Sequence, residues 1–100
     1  MVYDPGALTA SLAAAVGADH ALVAELREAF VESAARQVDL MRRSRCDANW
    51  ELAASRLKSL AASFGVEGMM RLSEEALTGA PGDPVILRRM AAALDDFAAK

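Results

Sequence analysis

The sequence predicts an all-α fold, an antiparallel four-helix bundle with an additional short N-terminal helix. Apolar residues recur every three or four positions in four successive segments, the spacing of helices that bury one face. The composition is 54% hydrophobic but only 5% aromatic, and its many alanines and leucines favour helix over sheet. Short links between the segments favour antiparallel neighbours. A chain of 100 residues is expected to form a single domain over residues 1–100.

The first two elements precede the centre of the chain. After an entry turn at Asp4-Pro5-Gly6, we predict a short alanine-rich helix over Ala7–Val16 that ends at Gly17. Asp19 is predicted to cap a long amphipathic helix over His20–Ser44. The apolar positions of this helix that we expect to face the core are Leu22, Val23, Leu26, Phe30, Ala34, Val38 and Met41.

The next helix is predicted over Trp50–Gly65, after a polar link at residues 46–49 in which Asp47 or Asn49 would be the N-cap. Its expected core face consists of Trp50, Ala53, Ala54, Leu57, Leu60, Ala61 and Phe64. The opposite direction, at about 100° per residue, carries four small or neutral residues that we call the neutral track: Leu52, Ser55, Ser59 and Ala62. Solvent-facing helix surfaces are normally charged, so this track is the first place to expect function, with Glu51, Arg56, Lys58 and Ser63 on its flanks.

Two further helices complete the predicted bundle. One covers Val66 to Leu77, and the residues 79–82 (Gly-Ala-Pro-Gly) then break the chain. Asp83 as N-cap and Pro84 at the first helical position start the last helix. Its expected inward residues are Leu87, Met90, Ala91, Leu94, Phe97 and Ala98.

Composition narrows the classes of function. The net charge of −3 gives no general attraction to nucleic acid or to an anionic membrane, so neither is expected as a partner. No apolar run approaches the ~20 residues of a membrane span, and the N-terminus lacks the basic region of a signal peptide. Cys46 is the only cysteine, so no internal disulfide can form and a reducing cytoplasm is the expected location. Because the chain has only one histidine and one cysteine, a metal site made of His and Cys ligands is not expected, nor is any cofactor.

Candidates for catalysis are few. His20 lies at a predicted helix start, where we expect it to be exposed, and Ser55 and Ser59 have no histidine nearby in sequence to act as a base. The pairs Glu74-Glu75 and Asp95-Asp96 each point about 100° apart on a helix, so neither pair forms a shared acid–base or metal site by itself. We therefore expect no enzymatic activity.

Two features keep alternative readings open. Cys46 is interpreted as a buried or half-buried small apolar residue rather than a nucleophile. A basic cluster near the end of the long helix either complements the helix dipole or binds an acidic ligand, and dipole complementation is the simpler reading. The cluster consists of Arg36, Arg42, Arg43 and Arg45.

The central helix resembles the signature helix of histidine-containing phosphotransfer (HPt) domains. That family has, approximately, Trp, four residues, His-x-Leu-Lys-Gly and then a small-residue stretch ending in Gly. The positions that match here are Trp50, Leu57, Lys58, Ala61, Ala62 and Gly65. The segments DHALVAELREAFVESAARQVDLM and GMMRLSEEAL also resemble the family's preceding and following helices. The resemblance implies the same helical bundle over nearly the whole chain.

Two positions depart from the family pattern. Ser55 stands where the family has its phosphorylated histidine, and Ser59 stands where a glycine follows the lysine. The resemblance therefore implies a pseudo-HPt module of two-component phosphorelay signalling, monomeric and not phosphorylated, that binds a response-regulator receiver domain or a histidine kinase. The partner-binding residues that it implies are Leu52, Ser55, Arg56, Lys58, Ser59 and Ala62. A helical scaffold or oligomerisation module, or an HPt domain with a non-standard acceptor such as His20 or Ser55, are the alternatives.

Overall fold

The computed structural model describes residues 19–99, and within that range every regular element is a helix. The helices are α1 (His20–Arg43), α2 (Asp47–Phe64), α3 (Glu67–Thr78) and α4 (Pro84–Ala98). Helix α2 packs against α1 and α3, and α4 packs against the same two helices from the other side. The predicted all-α four-helix arrangement is thus confirmed. The predicted helix over Ala7–Val16 and its end at Gly17 lie outside the described residues.

An aromatic cluster fixes the direction of the first two helices. The ring centroid of Phe30 lies 5.2 Å from that of Phe64 and 5.4 Å from that of Phe97. Phe30 is in the first half of α1, whereas Phe64 is the last residue of α2. Because the two helices are joined by only three residues, 44–46, this contact requires that they run in opposite directions. The start of α1 and the end of α2 therefore lie at the same end of the bundle.

Capping side chains begin two of the helices where the sequence predicts them. The Asp19 carboxylate accepts a hydrogen bond from the backbone N–H of Leu22 at 3.0 Å. The Asp83 carboxylate accepts one from the N–H of Val85 at 2.9 Å, and Pro84 is the first residue of α4. Each carboxylate satisfies an N–H group that has no partner inside its helix.

Helix α2 begins earlier than predicted. Asp47 is its first residue, so neither Asp47 nor Asn49 is the N-cap, and the cap position falls on Cys46, whose side chain makes no capping hydrogen bond. The N–H of Trp50 donates to the carbonyl of Cys46 at 3.2 Å and closes the first turn. A carboxylate in the first turn interacts favourably with the helix dipole, so Asp47 stabilises the start of α2 without capping it.

The end of α2 lies where predicted. Gly65 has φ 71° and ψ 27°, the left-handed conformation that glycine adopts without steric cost. Its N–H donates to Ala62 O at 3.2 Å, and the N–H of Val66 donates to Ala61 O at 2.9 Å. These two bonds form a Schellman motif. The reversal turns Val66 back into the core, where it is only 1% exposed.

Trp50 joins α2 to the end of α3. Its side chain is completely buried, and its indole Nε1–H donates to the carbonyl oxygen of Ala76 at 3.0 Å. Ala76 lies in the last turn of α3, where backbone carbonyls have no N–H donor within the helix. This hydrogen bond therefore gives a partner to both the indole N–H and the Ala76 carbonyl, each of which would be costly to bury without one.

Arg89 joins α4 to α3 at the surface. Its two guanidinium nitrogens donate to the two carboxylate oxygens of Glu75 at 2.9 and 3.2 Å. Hydrogen bonding to Glu75 and the charge of that carboxylate raise the pKa of Arg89. This bidentate ion pair links α3 and α4 at the surface, where both side chains are about half exposed.

Several predicted inward positions are wrong. Leu22 is 37% exposed because it lies about 100° around α1 from the buried Val23. In α4, Ala98 is exposed and Ala91 is only half-buried, since both lie at the edge of a buried stripe that Ile86 and Ala93 complete instead. Cys46 is also exposed, because it lies in the link before α2 rather than on a packed helix face.

Within residues 19–99, no helix is both long and apolar enough to cross a lipid bilayer.

Candidate docking surface

The two faces of α2 separate as predicted. Trp50, Ala54, Leu57 and Ala61 are each 0% exposed, and they face α1 and α3. The four residues of the neutral track are all exposed: Leu52, Ser55, Ser59 and Ala62. Leu52 is the most apolar of them, and 49% of its surface is accessible. The track is therefore a continuous, solvent-facing strip along the outer side of α2.

The track has different neighbours on its two sides. On the side of α3, Lys58 reaches Glu74, and the Nζ–Oε1 distance is 3.4 Å. On the side of α1, Arg56 is exposed and lines a groove between the two helices. The six partner-binding residues predicted from the sequence thus form one surface, but Lys58 already has an anionic partner in the same chain.

The groove beside Arg56 lies between the last turns of α1 and the first half of α2. It is open to solvent and encloses about 350 Å³. The residues that line it are Leu40, Arg43, Ser44, Asn49, Leu52, Ala53 and Arg56. Sequence reasoning did not find this groove. The available signal was Leu40, a leucine of α1 that lies outside the predicted core stripe and is 41% exposed.

Within residues 19–99, no side chain forms a hydrogen bond to the serine hydroxyls of the track. The Ser63 hydroxyl donates to the backbone carbonyl of Ser59 at 3.0 Å. The hydroxyls of Ser55 and Ser59 make no hydrogen bond to any residue in the described part of the chain. Nucleophilic attack by a serine requires an adjacent base, and no imidazole or carboxylate of residues 19–99 is bonded to either hydroxyl.

His20 lies far from these serines. It is exposed at the start of α1, ten residues before Phe30, and Ser55 lies nine residues before Phe64. Since Phe30 and Phe64 are in contact and the helices are antiparallel, the two positions extend in opposite directions from that level. A rise of 1.5 Å per residue then separates His20 and Ser55 by roughly 28 Å along the bundle. The structure does not bring them together.

The neighbouring carboxylates of Glu74 and Glu75 have separate partners. Glu74 bonds to Lys58 of α2 while its neighbour Glu75 bonds to Arg89 of α4, so the two carboxylates point toward different helices as predicted. Among residues 19–99, no three His, Cys, Asp or Glu side chains are grouped closely enough to hold a metal ion.

The basic cluster at the end of α1 is partly paired within its own helix. Arg43 Nε lies 2.9 Å from Asp39, and Arg42 lies 3.7 Å from the same carboxylate. Arg36 donates to the Ser33 hydroxyl at 3.3 Å. Arg42 and Arg43 occupy the last turn of α1, where positive charge complements the helix dipole. Of these residues, Arg43 also lines the groove.

Comparison of the chain with models of known protein families, with curated proteins and with solved structures found no match.

Proposed function

We propose that this chain is an HPt-like signalling module, a pseudo-HPt domain that binds a response-regulator receiver domain or a histidine kinase in the cytoplasm and thereby modulates two-component signalling. The proposal is supported by the resemblance of the central helix to the HPt signature and by the position of the neutral track. The carrying observation is that all four track residues are exposed on α2: Leu52, Ser55, Ser59 and Ala62.

Folding alone gives no reason for an exposed helix face without charge. Exposed helix surfaces gain solubility from charged side chains, and the charges on this side of α2 lie on the flanks of the track, at Glu51, Arg56 and Lys58. A small, uncharged strip lets a partner backbone approach closely, and it presents no charge that would have to be desolvated on binding. Polar and charged groups at its edge would then set the orientation of the partner.

The chemistry of Ser55 argues for binding without phosphotransfer. A neutral imidazole attacks an aspartyl phosphate directly, and the resulting phosphoramidate passes the phosphoryl group on. A serine hydroxyl needs a base, which no contact in residues 19–99 supplies to Ser55, and its phosphate ester is too stable for reversible transfer. We accordingly propose that the chain is not an enzyme and acts through occupancy of its partner.

The direct test is binding to the receiver domains and histidine kinases of the source organism. Each candidate is titrated with the protein by calorimetry, with and without beryllofluoride as a mimic of the receiver's phosphoryl group. We expect measurable binding to at least one of them, and about tenfold or greater weakening by Ser59→Arg, which places a bulky charge on the track. Ala92→Arg is the matched control, since Ala92 is an exposed small residue on α4. Absence of affinity for every candidate would contradict the proposal.

A phosphotransfer assay separates binding from relay activity. On incubation with a phosphorylated receiver that binds, the wild-type chain should remain unlabelled, and Ser55→His should acquire an acid-labile label. An acid-labile label on the wild-type chain that disappears in His20→Ala would instead support an HPt domain with a non-standard acceptor.

The oligomeric state tests the remaining alternative. We expect a monomer by light scattering, since the neutral track must be free to accept a partner. A stable dimer that Ser59→Arg dissociates would support a scaffold or oligomerisation module, because α2 would then be covered by a second copy of the chain.

A further inference from the structure

The groove beside the neutral track contains two leucines that the fold leaves exposed. Leu40 of α1 is 41% exposed and Leu52 of α2 is 49% exposed, and both line the same groove. An isolated exposed leucine needs no explanation, but two on neighbouring helices that face one groove form an apolar site. Ala53 lines the same groove and is almost fully buried, at 3% exposure.

The charge of the groove is opposite to that of the chain. Among residues 19–99, the charged residues that line it are Arg43 and Arg56 and no carboxylate does, although the net charge of the whole chain is −3. Arg43 shares Asp39 with Arg42, so its charge is partly compensated. Arg56 forms no ion pair with any residue of the range 19–99. Charge complementarity therefore favours an acidic occupant.

The shape of the groove favours a helix. It lies between two antiparallel helices, so a third helix can insert its side chains there as helices do in a bundle. Residues 19–99 contain no strand edge to which an extended peptide could add. Leu52 belongs both to the groove and to the neutral track, and a single partner that covers one therefore reaches the other.

We infer that this groove binds an acidic amphipathic helix of the partner protein. Apolar side chains of that helix pack against Leu40 and Leu52, and its carboxylates pair with Arg43 and Arg56. The inference rests on the proposed function, because the helix belongs to the same partner protein that covers the neutral track and extends from the track into the groove. It adds α1 to a docking surface that the sequence had confined to α2.

The test uses the receiver or kinase that binds the wild-type chain most tightly. Leu40→Glu places a carboxylate in the apolar part of the groove, and Arg43→Glu reverses a charge at its edge. We expect each to weaken binding about tenfold or more, and added salt to weaken wild-type binding further. Circular dichroism confirms that each variant remains folded.

Two matched controls separate the groove from general effects on α1. Leu22→Glu changes another exposed leucine of the same helix, at 37% exposure and outside the groove. Arg42→Glu changes the neighbour of Arg43, which shares Asp39 and the same helix end but does not line the groove. Both controls should bind within about twofold of the wild-type chain, since neither side chain faces the inferred partner helix.

Three other results would overturn the inference, and they differ from one another. If Ser59→Arg weakens binding while Leu40→Glu and Arg43→Glu match their controls, the partner occupies only the track and the proposed function stands. If no receiver or kinase binds the wild-type chain, the proposed function fails and the inference fails with it. If the wild-type chain is a dimer that Leu40→Glu dissociates, the groove is occupied by a second copy.

Discussion

The inner and outer faces of α2 share one backbone but follow different rules. The inner face contains Trp50, Leu57 and Ala61, which are completely buried, and the outer face contains Ser55 and Ser59, which are exposed. On the inner face, the apolar character of these residues is explained by their burial against α1 and α3. On the outer face, no packing contact within residues 19–99 accounts for the small neutral side chains of Ser55 and Ser59.

Small residues have different meanings on the two faces. Ala54 and Ala61 are buried where α2 meets its neighbours, and a small side chain there sets how closely the helices approach. Ala62 follows Ala61 directly but is exposed, so a larger side chain at this position would meet solvent. The same amino acid is therefore a packing constraint at one position and a candidate interface residue at the next.

The largest expected difference between the faces concerns two leucines. Leu57→Ala should lower the free energy of unfolding by about 2–5 kcal/mol, because it removes a fully buried side chain and leaves a cavity. Leu52→Ala removes a side chain that is 49% exposed and should change stability by no more than about 1 kcal/mol. Urea denaturation followed by circular dichroism measures both values. Equal losses of unfolding free energy in the two variants would show that the outer face stabilises the fold as much as the inner face does, and would contradict the comparison.

A smaller difference is expected for neighbouring alanines. Ala61→Leu should destabilise the fold by about 1–3 kcal/mol, because three carbon atoms must enter a filled core. Ala62→Leu should change the free energy of unfolding by less than about 0.5 kcal/mol, since leucine is also a good helix former and the site is exposed. The same denaturation experiment measures both, and the order of the two effects is the decisive result. A greater loss for Ala62→Leu would place α2 in a different rotation about its axis.

The rotation of α2 was predictable from the sequence because helical periodicity alone separates its faces. The stripe from Trp50 to Phe64 repeats at three and four residues, and the structure buries it, with Leu60 and Phe64 only in part. The capping roles of Asp19 and Asp83 were equally accessible, since each depends only on residues next to it. Most properties that are local in sequence were therefore predictable, whereas the N-cap of α2 and the edges of the buried stripes in α1 and α4 were not.

Contacts between helices were not predictable in the same way. The groove requires Leu40 of α1 to lie beside Leu52 of α2, and this depends on how far the helices are shifted along one another. The ion pair between Lys58 and Glu74 depends on the corresponding placement of α3. Periodicity gives the direction of a side chain around its own helix but not its height relative to a neighbouring helix. The earlier start of α2 at Asp47 shifted a boundary without changing either face.

The smallest expected effect lies at the boundary between the two faces, where Lys58 pairs with Glu74. The side chains are 42% and 54% exposed, and the Nζ–Oε1 distance is 3.4 Å. An ion pair this exposed contributes little, because water screens it and ordering two long side chains costs entropy. A double-mutant cycle with Lys58→Met and Glu74→Gln should give a coupling energy of about 0.2–1 kcal/mol that decreases as salt is added.

The size of this coupling bears directly on docking. Because the pair is weak, an anionic group of a partner can replace Glu74 as the ion-pair partner of Lys58 with little loss of free energy. Lys58 can therefore still contact a partner that covers the neutral track. Glu74→Gln should then strengthen binding of the partner, because the lysine no longer has a competing carboxylate, and Glu67→Gln on the same helix is the charge-matched control. A coupling well above 1 kcal/mol, together with unchanged binding by Glu74→Gln, would assign Lys58 to the fold and leave Arg56 as the cation at the edge of the track.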